Sequence, residues 1–97
     1  MTLAELRQHR NEILRLAGNN GATNVRVFGS LARGEDRSGS DVDLVVDMEP
    51  GRRGIEYFTL RVDLEEALGR SVDLIIGNGS GPIQERVQKV IEGAVPL

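Results

Sequence analysis

Two short runs share one alternation, and that shared phase narrows the folds open to this chain more than any other feature. The first is Asp41-Val42-Asp43-Leu44-Val45-Val46-Asp47 and the second is Ser71-Val72-Asp73-Leu74-Ile75-Ile76. Runs rich in Val and Ile behind polar turns read as strands, and side chains along a strand point alternately to its two faces. Val42, Leu44 and Val46 therefore make one wholly apolar face, and Val72, Leu74 and Ile76 another; both must lie on a core. Asp41 and Asp43 share the opposite face with Val45, and Asp73 falls on the matching side of its own strand. If the strands are neighbours, three carboxylates converge on one side of one sheet, where like charges raise one another's energy. A divalent cation removes that penalty, and hard cations such as Mg²⁺ take oxygen ligands. Asp41 and Asp43 alone are read more plainly as solvated acids on an edge strand; Asp73 is what changes the weighting.

A second feature, Gly29-Ser30, lies upstream, separated from Asp41 by ten residues. Residues 24–28 form a short strand candidate that ends at Gly29-Ser30 and runs into Leu31-Ala32-Arg33, enough for one helical turn. A strand, a glycine, a serine and a helix N-terminus together make an anion site. Gly29 lets a phosphate approach the backbone. Ser30 can cap the turn or donate its hydroxyl to a phosphate oxygen, and Arg33, one turn on, can reach the same anion. Taken singly, Gly-Ser is an ordinary cap and Arg33 an ordinary surface cation. Joined to the carboxylates, they supply what phosphoryl and nucleotidyl transfer need, which is donors for a polyphosphate and oxygen ligands for the metal that meets its charge.

Gly29, Ser30, Asp41, Asp43 and Asp73, in that order, resemble the signature of the nucleotidyltransferase superfamily that includes DNA polymerase beta and the kanamycin nucleotidyltransferases. With Arg33-Gly34, Ser40-Asp41-Val42-Asp43-Leu44, residues 60–76 and the ending Ile91-Glu92-Gly93-Ala94-Val95-Pro96-Leu97, the resemblance is to the minimal nucleotidyltransferase (MNT) branch and covers essentially the whole chain. It implies an α/β (α+β) nucleotidyltransferase fold, a small mixed β-sheet with helices packed mainly on one face. It also implies that Asp41, Asp43 and Asp73 are catalytic and hold two Mg²⁺ ions, that Gly29 and Ser30, with Arg33, bind the triphosphate of ATP, and that Asp73 serves as a base. Proteins of this branch pair with HEPN-domain ribonuclease toxins as antitoxins, and some transfer AMP to a toxin tyrosine. The implied role is therefore AMP transfer to a HEPN partner in a hetero-oligomer. Two alternatives stand beside it: a binding-only antitoxin with a vestigial site, and a nucleotidyltransferase acting on a small molecule or an RNA end.

Ninety-seven residues, 39% hydrophobic and 28% charged, suit one globular domain over residues 1–97 with a thin core. No apolar run is long enough to span a membrane, and Met1-Thr2-Leu3-Ala4-Glu5 lacks the pattern of a signal peptide, so a cytoplasmic location is expected. There is no cysteine and one histidine, His9, which is expected at the surface; this excludes disulfides, Cys-type zinc sites and His-based triads. The net charge of −3 and three aromatics give no basic stripe or stacking platform, so direct DNA binding is not expected.

Along the chain, Thr2 and Glu5 fit a capping box. Leu3, Leu6, Ile13, Leu14 and Ala17 then follow one helical face as far as the glycines of residues 18–21. Residues 35–40 read as a polar loop and 49–54 as a turn. Tyr57, Leu60, Leu64, Ala67 and Leu68 mark a helix stopped by Gly69. Pro82 opens a last helix with Ile83, Val87, Val90, Ile91 and Ala94 on one face. The order is α-β-α-β-α-β-α. Arg52 and Arg53 read either as solvated loop cations or as contacts to a nucleotide or partner.

Overall fold

The computed structural model describes residues 1–35 and 41–97, so most of the expected polar loop at 35–40 lies outside the described residues. The chain opens with α1 (Leu3–Gln8) and α2 (Arg10–Asn19). The Thr2 hydroxyl accepts from Glu5 N at 3.1 Å, as the capping box predicts. The single first helix read from the sequence is two, because the chain breaks at half-buried His9. Strand β1 (Ala22–Val27) leads into α3 (Gly29–Ala32); β2 spans Val42–Met48, α4 Ile55–Leu68 and β3 Val72–Ile76. Gly69 ends α4 in the left-handed region at φ 65°. Helix α5 (Pro82–Val90) begins at the proline, as its preset φ favours.

The strands form a mixed sheet in the order β3-β2-β1-β4. β2 pairs antiparallel with β1 and parallel with β3. The strand β4 (Val95–Pro96) pairs antiparallel with β1 and was not anticipated; the last helix stops at Val90, so Ile91 and Ala94 lie beyond it. β1 carries a bulge between Thr23 and Arg26, with Asn24 at φ 53°. Asn tolerates that conformation, and its Nδ2 donates to Asp47 Oδ2 at 3.0 Å. After the bulge, Val25 and Val27 face the core while Arg26 reaches Asp47 on the other side at 2.7 Å.

The main core lies under one face. Leu6, Ile13 and Ala17 of α1 and α2 and Leu60, Leu64 and Leu68 of α4 bury Val42, Leu44, Val46, Val72 and Leu74, the faces predicted from the alternation. A smaller cluster covers part of the other face: Phe28, Val45 and Ile91, with Ile75, Val87 and Ala94 packed against them. Val45 shares its face with the carboxylates yet is wholly buried there, in the cluster with Val87 of α5 and with Ile91 and Ala94 just beyond that helix. Among the described residues no helix is long and apolar enough to cross a membrane.

Candidate active site

The parallel register of β2 and β3 pairs Asp43 directly with Asp73, with Val42 opposite Val72 and Leu44 opposite Leu74. Matching register and matching phase put the two aspartates side by side on the face away from the main core, as the alternation predicts. Asp41 precedes β2 and is exposed, Asp43 is half-buried and Asp73 is exposed. The Asp43 carboxyl is raised above its ordinary value of 3.8, first by burial, then by the charges of Asp73 and Asp41, while Arg33 pulls it down. Three like charges and one cation thus act on each other at close range. Among the described residues no three acidic or His side chains close around one metal-sized point. Mg²⁺ is held by one or two carboxylates and completes its shell with waters and substrate phosphates. The donor set fits such a cation, since oxygen ligands that repel one another gain by sharing it.

The Gly29-Ser30 turn lies against this pair. Phe28 N donates to Asp43 O at 3.1 Å, which fixes the turn to β2. Gly29 stands at φ 71°, and a Cβ built on it would overlap Asp43 Oδ2 and come within 3.0 Å of Cγ. The glycine is therefore required for a reason the sequence did not disclose: it leaves room for the carboxylate. Ser30 is half-buried in the first turn of α3, but the capping position belongs to Phe28, with no side-chain cap. Of the two roles the sequence left open for Ser30, the cap is not the one formed here, and among the described residues its hydroxyl has no hydrogen-bond partner. Arg33 is exposed and pairs with Glu35 at 3.3 Å. A screened pair of that kind contributes about 0–1 kcal/mol, so the guanidinium can exchange Glu35 for a phosphate.

The two loop arginines divide. Arg52 is structural: it donates to Asn19 O at 3.2 Å, lies 3.7 Å from Glu49 and packs over Gly21. Arg53 donates to Asn78 O at 3.0 Å and Met48 O at 3.4 Å, and its buried Nε has no partner among the described residues.

The model of the nucleotidyltransferase domain family matches residues 6–95. The chain belongs to that family. Within it, this nucleotidyltransferase is similar to MJ0435 of Methanocaldococcus jannaschii, a protein named as an adenylyltransferase of proteins, with 31% identity over 74 residues that span 76% of this chain and 80% of the relative. It is also similar to a solved minimal nucleotidyltransferase, at 42% identity and a TM-score of 0.81, over 100% of this chain and 97% of the other. A toxin–antitoxin complex solved with AMP-PNP contains a chain that matches at 25% identity and a TM-score of 0.70, over 89% of this chain and 69% of its own. The likeness spans the mixed sheet and its helices, so the nucleotidyltransferase fold and the MNT branch read from the motif stand.

Proposed function

We propose that this nucleotidyltransferase, as one catalytic domain over residues 1–97 acting in the cytoplasm, transfers AMP from ATP to a tyrosine hydroxyl of a HEPN-domain ribonuclease toxin and so serves as its antitoxin. The observation that carries the reading is the side-by-side pairing of Asp43 and Asp73 against the Gly29 turn. The adenylyltransferase name of the Methanocaldococcus relative and the toxin–antitoxin likeness support the choice of acceptor.

Asp41, Asp43 and Asp73 would hold two Mg²⁺ ions, which when bound offset the triphosphate's charge. The backbone N–H groups at Gly29 and Ser30, the Ser30 hydroxyl and Arg33 bind the triphosphate. Asp73, the more exposed of the paired carboxylates, takes the acceptor's proton. The tyrosine oxygen bonds to the α-phosphorus, the bond to the β-phosphate oxygen breaks, and pyrophosphate departs. The protein contributes orientation and fixed charge.

Intact-mass spectrometry of the co-expressed HEPN-domain partner tests this. Added AMP units that disappear with Asp43→Asn, together with loss of ribonuclease activity in the modified partner, are the expected result. Neutralisation without a mass change, by wild type and Asp43→Asn alike, would replace it with the binding-only antitoxin. Label passing from ATP to an RNA end or a small molecule, and not to the partner, would replace it with the other transferase reading.

A further inference from the structure

β3 is the outer strand of the sheet, and α4 and α5 flank its free edge from the two faces. Between them lies a groove of about 430 Å³ whose lining includes Tyr57, Leu74, Ile75, Ile83, Val87 and Arg53. The strand's outward polar groups are partly taken: Glu65 Oε2 accepts from Val72 N at 3.0 Å, and Tyr57 Oη donates to Leu74 O at 2.6 Å. An edge capped in this way resists addition of another strand, so the groove offers side-chain contacts. Ile83 lines it and is 74% exposed.

Two observations say what covers it. Ile75, which lines the groove, lies two residues beyond Asp73 on the same face, roughly 7 Å along the strand, so the groove begins beside the place an acceptor hydroxyl must reach. Arg53 lines the end away from Asp73, anchored to Met48 O and Asn78 O, and has no carboxylate partner among the described residues. The other apolar stripe, Ile55, Phe58 and Val62, lies on the side of α4 opposite Leu60 and Leu64, a helix thickness away from the sheet and on the wrong face for the carboxylates.

We propose that the groove between α4, the β3 edge and α5 is the docking site of the acceptor protein, seating a segment with an apolar side chain and a carboxylate so that a neighbouring hydroxyl reaches Asp73. The acceptor's role rests on the function proposed above, but docking is measured separately from transfer. The HEPN-domain partner is titrated calorimetrically into wild type, Ile83→Asp, Ile83→Lys and Phe58→Asp, and AMP transfer is followed in parallel. Ile83→Asp should raise Kd and the KM for the partner at least about tenfold, the loss expected of a central interface contact, with kcat and ATP affinity unchanged. Ile83→Lys, which keeps the sign of Arg53, should lose less, and Phe58→Asp should bind as wild type does. Ser80→Trp, placed in an exposed loop at the groove, should reproduce the loss without touching α5.

A Kd within about twofold of wild type for Ile83→Asp, or an equal loss in Phe58→Asp, overturns the docking site. An inverted order of the Asp and Lys variants removes the carboxylate from it. A free chain that is dimeric as wild type and monomeric as Ile83→Asp makes the groove a contact between copies instead. If binding falls as expected but wild type transfers no AMP, docking stands and the chemistry fails; if transfer persists in Ile83→Asp with unchanged KM, the reverse holds.

Discussion

Asp43 sits where its protonated form is favoured. Burial and the charges of Asp73 and Asp41 raise its pKa above 3.8, so the folded chain binds that proton more tightly than the unfolded one. The folded state therefore loses stability as pH climbs from the ordinary carboxylate value through the raised one, and has lost the whole contribution above it. Asp43→Asn should melt higher than wild type in metal-free buffer at neutral pH, and the advantage should vanish in acid below that window. Mg²⁺ should then raise the melting temperature of wild type more than that of the variant, by preferential binding to the folded state. A lower Tm for the metal-free variant at neutral pH would mean that the carboxylate secures structure instead. Gly29 supplies the companion prediction. Gly29→Ala places a Cβ in left-handed backbone, at about 1–2 kcal/mol, and against Asp43 Oδ2. Urea unfolding should show a smaller cost in an Asp43→Ala background, because the overlap is gone. Ser30→Ala separates the two roles the sequence left open for that hydroxyl. With no partner to lose among the described residues, its Tm should hold while ATP affinity falls, by roughly 1.5–3 kcal/mol for one hydrogen bond to a charged group. A lowered Tm with unchanged nucleotide titration would return Ser30 to a structural role.

At the scale of elements, the β3 edge is closed by side chains from α4. Tyr57→Phe removes the bond to Leu74 O and leaves that carbonyl at the groove. Chemical denaturation should register a loss of about 0.5–1.5 kcal/mol; no change would mean that water replaces the phenol without penalty. The strands and the register of β2 with β3 were legible because alternation at period two is local and both runs carried it in the same phase. The Thr2 cap, the Pro82 start and the Gly69 stop were legible for the same reason, each being a property of a few consecutive residues. What was not legible depended on neighbours distant in sequence. The break at His9 has no glycine or proline to announce it. Ile91 and Ala94 kept a helical spacing from Val87, yet all three are apolar because they cover Phe28 and Val45, not because one helix carries them. The approach of Gly29 to Asp43 Oδ2 exists only once α3 and β2 are side by side, and the place of Arg53 in the groove only once α5 has docked.

The whole molecule is a sheet with a large core on one side and a small one on the other, and the small one props the candidate site. Phe28 immediately precedes Gly29, and Ile91 packs in the same cluster. Ile91→Ala should cost about 2–5 kcal/mol, as for other buried large-to-Ala changes. AMP transfer should fall more steeply than the folded fraction does, since the turn at Gly29 loses its backing; activity that merely tracks the folded fraction in a thermal scan would mean the turn stands without it. β4 adds a consequence in time. Leu97 N donates to Val25 O, Arg7 Nη2 to Pro96 O, and β4 closes the outer side of β1. The first strand of the sheet thus has as one of its two partners a strand far later in the sequence, Val95–Pro96. During synthesis, β1 emerges long before Val95–Pro96 and must wait with that side unpaired, for a number of seconds at about 5–20 residues per second. Until Val95–Pro96 have emerged, β1 keeps that side unpaired, so a partner that recognises the finished sheet meets only a chain extruded past that strand.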